Sequence, residues 1–130
     1  MAATFTSTVL EDGPRNLILL VNIVGDGAGE ITNGLLVDRS TFVPLDGTKT
    51  RVDKIEGNLD GFSASLSFDA AADLIFVGLP ADDLFCHDWR EEGGISSNKA
   101  GAGANGDILL TTVGTAAGER GTFTIWMRKH

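Results

Sequence analysis

Asp82, Asp83, Cys86, His87 and Asp88 are the densest group of chemically capable side chains in the sequence. They include the ligand types that zinc takes. Cys86 and His87 are adjacent, however, and no second cysteine pair or properly spaced histidine exists to close a four-ligand shell. A nucleophilic Cys86 would need a base folded against it, and the only histidines are its neighbour His87 and the terminal His130. The expectation is a cysteine packed as a small apolar group. Gly101 to Gly106 has the glycine spacing of a dinucleotide loop, but a strand follows where a helix N-terminus would have to hold the pyrophosphate. It reads as a flexible loop. Gly25 to Glu30 brings two carboxylates into a turn without the spacing of an EF-hand. No Gly-x-Ser-x-Gly nucleophile elbow occurs. These residues predict no enzyme, no catalytic or cofactor-binding residue and no metal.

The elements that would position such residues are strands. Asp60-Gly61 suits a two-residue turn with positive φ, flanked on both sides by alternation. It predicts a hairpin that sets Leu59 opposite Phe62, Gly57 opposite Ala64, Ile55 opposite Leu66 and Asp53 opposite Phe68, with one apolar and one wet face. In Thr122 to Arg128, Phe123, Ile125 and Met127 share one face and Trp126 lies on the other. Asp107 to Val113 reads as the strand before it, joined through Gly114 to Arg120 as a longer hairpin. Leu17 to Val24 is apolar on both faces, as in a central strand or one covered by a neighbouring subunit. Thr4 to Leu10, Leu35 to Ser40 and Leu74 to Gly78 are shorter candidates. Turns are expected at Asp12-Gly13-Pro14, Gly25 to Gly29, Pro44 to Gly47 and Ala70 to Ala72.

About eight antiparallel strands in 130 residues predict a single all-β domain over 1–130, a two-sheet sandwich with jelly-roll topology, with an up-and-down barrel as the alternative. The only helix candidate is a turn around Ala81 to Trp89. Pro80 to Gly106 shows no clear strand, and connections beyond about 12 to 15 residues are uncommon unless functional or disordered. That long connection is the expected contact element, with Phe85 and Trp89 as anchors, the alternative being that Trp89 plugs one open end of the sandwich; Trp126, opposite the Phe123 face, either covers a second core or is a further contact.

Ten basic and eighteen acidic side chains give 10 − 18 = −8, a field that repels phosphates and argues against nucleic acid as a partner. Arg39 and the end Arg128, Lys129, His130 are local exceptions, the latter read as a solvated tail. No apolar run is long enough to cross a bilayer, and the start lacks the pattern of a secretory signal, so folding in a reducing cytoplasm is expected. The excess apolar surface of Leu17 to Val24 and Trp126 points to self-association, with a trimer expected.

The runs LILLVNIVGDGAGEITNGLLVDRS, KIEGNLDGFSASLSFDA and NGDILLTTVGTAAGERGTFTIWMRK resemble small virion proteins of tailed bacteriophages, the head decoration or cement proteins. The resemblance implies a compact β domain without an active site, often trimeric. Such a domain binds the major capsid protein and reinforces the capsid surface of a virion built in the host cytoplasm. The alternative is a carbohydrate- or receptor-binding β module of a spike or surface protein.

Overall fold

The computed structural model describes residues 3–13, 15–27, 29–42 and 49–129. The turn expected at Pro44 to Gly47, Pro14 and His130 lie outside the described residues. Among the described residues ten strands follow one another: β1 (Thr4–Asp12), β2 (Asn16–Val24), β3 (Gly34–Val37), β4 (Thr50–Leu59), β5 (Ser63–Phe68), β6 (Leu74–Leu79), β7 (Leu84–Asp88), β8 (Ile95–Ser96), β9 (Ile108–Val113) and β10 (Arg120–Lys129). The larger sheet has the order β1-β2-β10-β4-β7, with β8 also paired to β4, and the smaller sheet the order β3-β9-β5-β6. All strand pairs are antiparallel. The pairs β2·β10, β3·β9, β4·β7 and β5·β6 are nested like rungs of one long ribbon rolled into two sheets, which is the jelly-roll order expected from the sequence.

The two sheets close on an apolar core that follows period two along each strand. Leu17, Leu19, Val21 and Ile23 of β2 and Phe123, Ile125 and Met127 of β10 face Leu66 and Phe68 of β5, Leu79 of β6 and Ile108 and Leu110 of β9, all at 2% exposure or less. Leu17 to Val24 is the interior strand predicted, between β1 and β10. On its outer face Ile18, Leu20 and Val24 are half-buried.

Two predicted hairpins are sheet-switching corners instead. β4 and β5 lie in different sheets, so Leu59 to Phe62 crosses the sandwich, and β9 and β10 are likewise separated. The alternation that suggests cross-strand pairing is also what two strands show when they face each other through a core, because each must turn the same face inward. The consecutive strands that do pair as hairpins are β1–β2 and β5–β6, the latter through the turn expected at Ala70 to Ala72. Asp53, expected opposite Phe68, sits instead at a bulge. Trp126 pairs with Lys54 and Met127 with Val52, so Asp53 is the extra residue, and the inward set changes from Thr50 and Val52 to Ile55 and Leu59 across it.

The corners are pinned by side chains. Gly61, at φ 87°, donates its N–H to the Asp82 carboxylate at 2.7 Å, and Asp82 donates its own N–H to the Leu59 carbonyl at 2.7 Å. On the β9–β10 crossing, Glu30 accepts from the hydroxyls of Thr115 (2.8 Å) and Thr112 (2.9 Å) and from the N–H of Gly114 (2.9 Å). These bonds, the Thr115 hydroxyl first, hold its carboxyl below the ordinary range.

Candidate functional site

The Asp82–Asp88 cluster is taken apart by strand geometry. Leu84 to Asp88 is β7, paired to β4, and not the structureless connection or helical turn that the sequence suggests. Alternation along β7 sends Phe85 and His87 toward the core and Leu84, Cys86 and Asp88 outward. Cys86 is therefore exposed, contrary to the packed reading, with its Sγ 3.9 Å from Glu56 Oε2. Phe85, expected to contact a partner, is 5% exposed and packs on Phe123 with ring centroids 6.4 Å apart. His87 stacks on Trp89 at 5.7 Å, and Trp89 meets Phe76 edge-on at 6.5 Å. Phe76 in turn stacks on Phe68 at 4.1 Å. Trp89 is thus half-buried and packed on the core beside β6 and β7, the arrangement of the plug that the sequence offers as the alternative to an anchor. Among the described residues, no group of three or more His, Cys, Asp or Glu side chains is placed to hold a metal ion.

The rest of Pro80 to Gly106 is also tied down. After β7 come a 3-10 turn at Arg90–Glu92, the short β8 and a second 3-10 turn at Ser97–Ala100. The glycine-rich stretch expected to be flexible is fastened at three points: Ala102 accepts from Ala71 N–H at 3.0 Å, Asn105 donates to Asp69 at 3.1 Å, and Gly106 accepts from the buried Thr50 hydroxyl at 2.8 Å.

Asp88, on the outer face, holds Arg90 through two parallel bonds, Nε to Oδ1 at 2.9 Å and Nη2 to Oδ2 at 2.6 Å. The Arg90 side-chain bonds, then its backbone N–H, lower the Asp88 carboxyl to about 2. A depressed folded-state value favours the folded, ionised form above the ordinary carboxyl range, and that contribution is lost as pH falls through about 2. Carboxyl-carbon NMR should show Asp88 titrating near that value, and Arg90→Gln should return it to the ordinary range. A midpoint unmoved by the substitution would contradict the clamp.

Trp126 is where the sequence places it, on the outer face of the larger sheet. Lys54 Nζ lies over its ring at 5.1 Å. Glu11, Asn16, Ile18, Asp53, Lys54 and Arg90 surround it in a shallow depression of about 400 Å³. Beside this, Arg15, Arg51, Gly93, Arg128 and Lys129 line a second depression of about 280 Å³. Arg128 and Lys129 belong to β10 and not to a solvated tail. Arg128 binds Asp53 with Nε at 2.9 Å from Oδ2, and the buried Lys129 ammonium pairs with Asp12.

The surface feature that sequence reasoning missed is the apolar rim. Among the described residues the exposed large apolar side chains are Val9 and Leu10 on β1, Leu35 on β3, Leu74 and Ile75 on β6, Leu84 on β7 and Val113 on β9. All but Val113 sit on the four edge strands, the ends of the two sheet orders. Ile75 is 65% and Leu84 81% exposed. Leu84 was hidden from sequence reading inside the stretch with no strand pattern, and a strand's position in its sheet is set by topology, which no local pattern encodes.

The fold and these surfaces define an antiparallel jelly-roll sandwich. No family model and no curated protein matches the sequence. Among solved structures, similarity is found to peruvianin-I, a cysteine peptidase from Thevetia peruviana latex, at 12% identity and a TM-score of 0.40, covering 98% of this chain and 62% of that one. The chain thus spans about three-fifths of that protein, and a likeness at this level carries no argument about function.

Proposed function

We propose that this protein is a non-catalytic structural domain of a virion, a decoration or cement protein held between subunits of the capsid shell. One observation carries the reading: among the described residues, the exposed large apolar side chains other than Val113 all lie on the edge strands of the sandwich and not in a cleft. A module that captures a small ligand concentrates apolar surface in a concavity, whereas a domain gripped from the sides by larger neighbours needs it at its edges. The β6/β7 rim, with Leu74, Ile75 and Leu84, is assigned to the major capsid protein. The resemblance of the sequence to phage decoration proteins supports the same reading, and mass action on the assembled shell then raises shell stability.

A second reading, a carbohydrate-binding module, is favoured by Trp126, whose half-buried indole lies in a shallow depression with Glu11, Asn16 and Asp53 around it. Sugar rings stack on such indoles while side-chain amides and carboxylates hold their hydroxyls. One experiment separates the two. Purified protein is sedimented with shells assembled from the major capsid protein of the same genome, and in parallel is applied to a glycan array. Ile75→Glu with Leu84→Glu is expected to weaken shell binding at least 10-fold, with Trp126→Ala close to wild type. Absence of shell binding by the wild type, or loss with Trp126→Ala alone, overturns the first reading. Glycan capture abolished by Trp126→Ala would establish the second.

A further inference from the structure

Among the described residues β1 is the longest edge strand and the least covered. Among the described residues its backbone ladder runs to β2 alone, in unbroken register from Thr4↔Val24 to Val9↔Leu19, with a bulge at Leu10 just beyond. Every residue from Thr4 to Asp12 except Phe5 is exposed. Natural edge strands are usually blunted by lysine, proline, shortness or an early bulge, because an open row of backbone N–H and C=O groups is a template for another strand. Thr4 to Val9 has none of these, and no charge lies between Thr4 and Leu10.

We infer that β1 pairs antiparallel with β1 of a second copy of this chain about a two-fold axis through Ser7, joining two larger sheets into one. The occupant follows from the sequence of the strand itself. A two-fold interface must be self-complementary. Phe-Thr-Ser-Thr-Val, residues 5–9, reads nearly the same from either end: Phe5 falls opposite Val9 of the second copy, Thr6 opposite Thr8 and Ser7 opposite Ser7. This produces two aromatic–β-branched pairs on one face and two threonine pairs on the other, both favourable cross-strand combinations. A slip of one residue sets Phe5 opposite Thr8 and loses every match.

Charge selects the same partner and direction. At a net −8, two copies repel, and contact is least costly through an uncharged segment. Antiparallel pairing carries Glu11 and Asp12 of each copy to the far end of the other strand, whereas parallel pairing would stack them on their equivalents. Asp12 is already neutralised by Lys129. The contact is a single strand pair, a small interface, and belongs to the class that forms at high protein concentration or on an assembled particle.

The test uses the full chain with Cys86→Ser, so that an added thiol is the only one. Under mild oxidation at high micromolar concentration, Ser7→Cys is expected to form a disulfide-linked dimer at least 10-fold more completely than Thr4→Cys, whose equivalents lie about 20 Å apart in this register. Without added cysteine, light scattering should report twice the chain mass. Thr6→Lys with Thr8→Lys should return it to a monomer with unchanged melting and circular dichroism, since both side chains are exposed in the single chain. A wild type that stays monomeric, a trimer, equal cross-linking at the two positions, or an oligomer indifferent to the lysines would each overturn the inference.

Discussion

Gly57→Val is expected to lower folding stability by about 3 kcal/mol and the melting temperature by roughly 10 °C, while Gly78→Val leaves both almost unchanged. Both glycines are inside strands, so intrinsic β propensity alone would make either substitution helpful. What separates them is space. Gly57 pairs with Phe123 on one side and Phe85 on the other, and those two rings pack on each other above it. A Cβ at Gly57 would overlap the Thr122 carbonyl oxygen and the backbone of Phe123, neither of which can move without breaking the β4–β10 ladder. At Gly78, on the open edge strand β6, nothing lies within 4 Å of the same atom. Urea unfolding of the two variants measures the difference. Equal stabilities would mean that the aromatic pair does not sit over Gly57 as the structure has it.

The same glycine shows where sequence pattern stops being informative. In the sequence, Gly57 opposes Ala64 across a hairpin, a pairing that satisfies the alternation of both strands. In the structure it opposes Phe123, sixty-six positions away, and β4 meets β5 only across the core. Both arrangements put Leu59, Phe62, Leu66 and Phe68 inside, and burial is what period two reports. The pattern therefore carries the inward set, the strand limits and the two-sheet class, and is silent on whether two inward faces sit side by side or face to face. Asp53 was read as inward for a related reason: the bulge beside it changes which residues point in, and a bulge leaves no mark in an alternation read in steps of two.

The candidate site was legible in the same partial way. Trp126 falls on the outer face because its neighbours Phe123, Ile125 and Met127 fix the inner one. Phe85 and Trp89 could not be placed, because β7 is short and its outward residues, Leu84 and Cys86, are apolar enough to blur the period. A charged residue in place of Leu84 would have revealed the strand. Its apolar character is the reason both that β7 was missed and that its rim is a candidate contact surface.

Arg39→Met should destabilise the fold by about 3 kcal/mol although it replaces a charge by an apolar side chain of similar length. In an acidic chain an isolated arginine is readily taken for a surface group or a stray phosphate contact. Here Arg39 has no exposed surface. Its Nε donates to the Lys49 carbonyl at 2.8 Å and its Nη1 to the Phe42 carbonyl at 2.9 Å, while its backbone N–H donates to Asp107 Oδ1 at 2.8 Å. The guanidinium thus supplies donors to the backbone carbonyls of Phe42 and Lys49, two residues that follow β3 and precede β4. Methionine fills the volume and removes both part-buried donor bonds, and losing charged-donor hydrogen bonds of this kind costs about 1.5–3 kcal/mol each. Lysine keeps the charge but not the planar fork that reaches two carbonyls at once. Arg39→Lys is therefore expected to recover only part of the loss. Asp107 gives a separate readout: burial raises its carboxyl above the ordinary range, and its bond to the Arg39 backbone survives either substitution. Chemical denaturation of the two variants, with the Asp107 carboxyl followed by NMR, tests the assignment. If Arg39→Met is as stable as the wild type while Asp107 titrates unchanged, the carbonyls find other donors and the guanidinium is not what holds this segment.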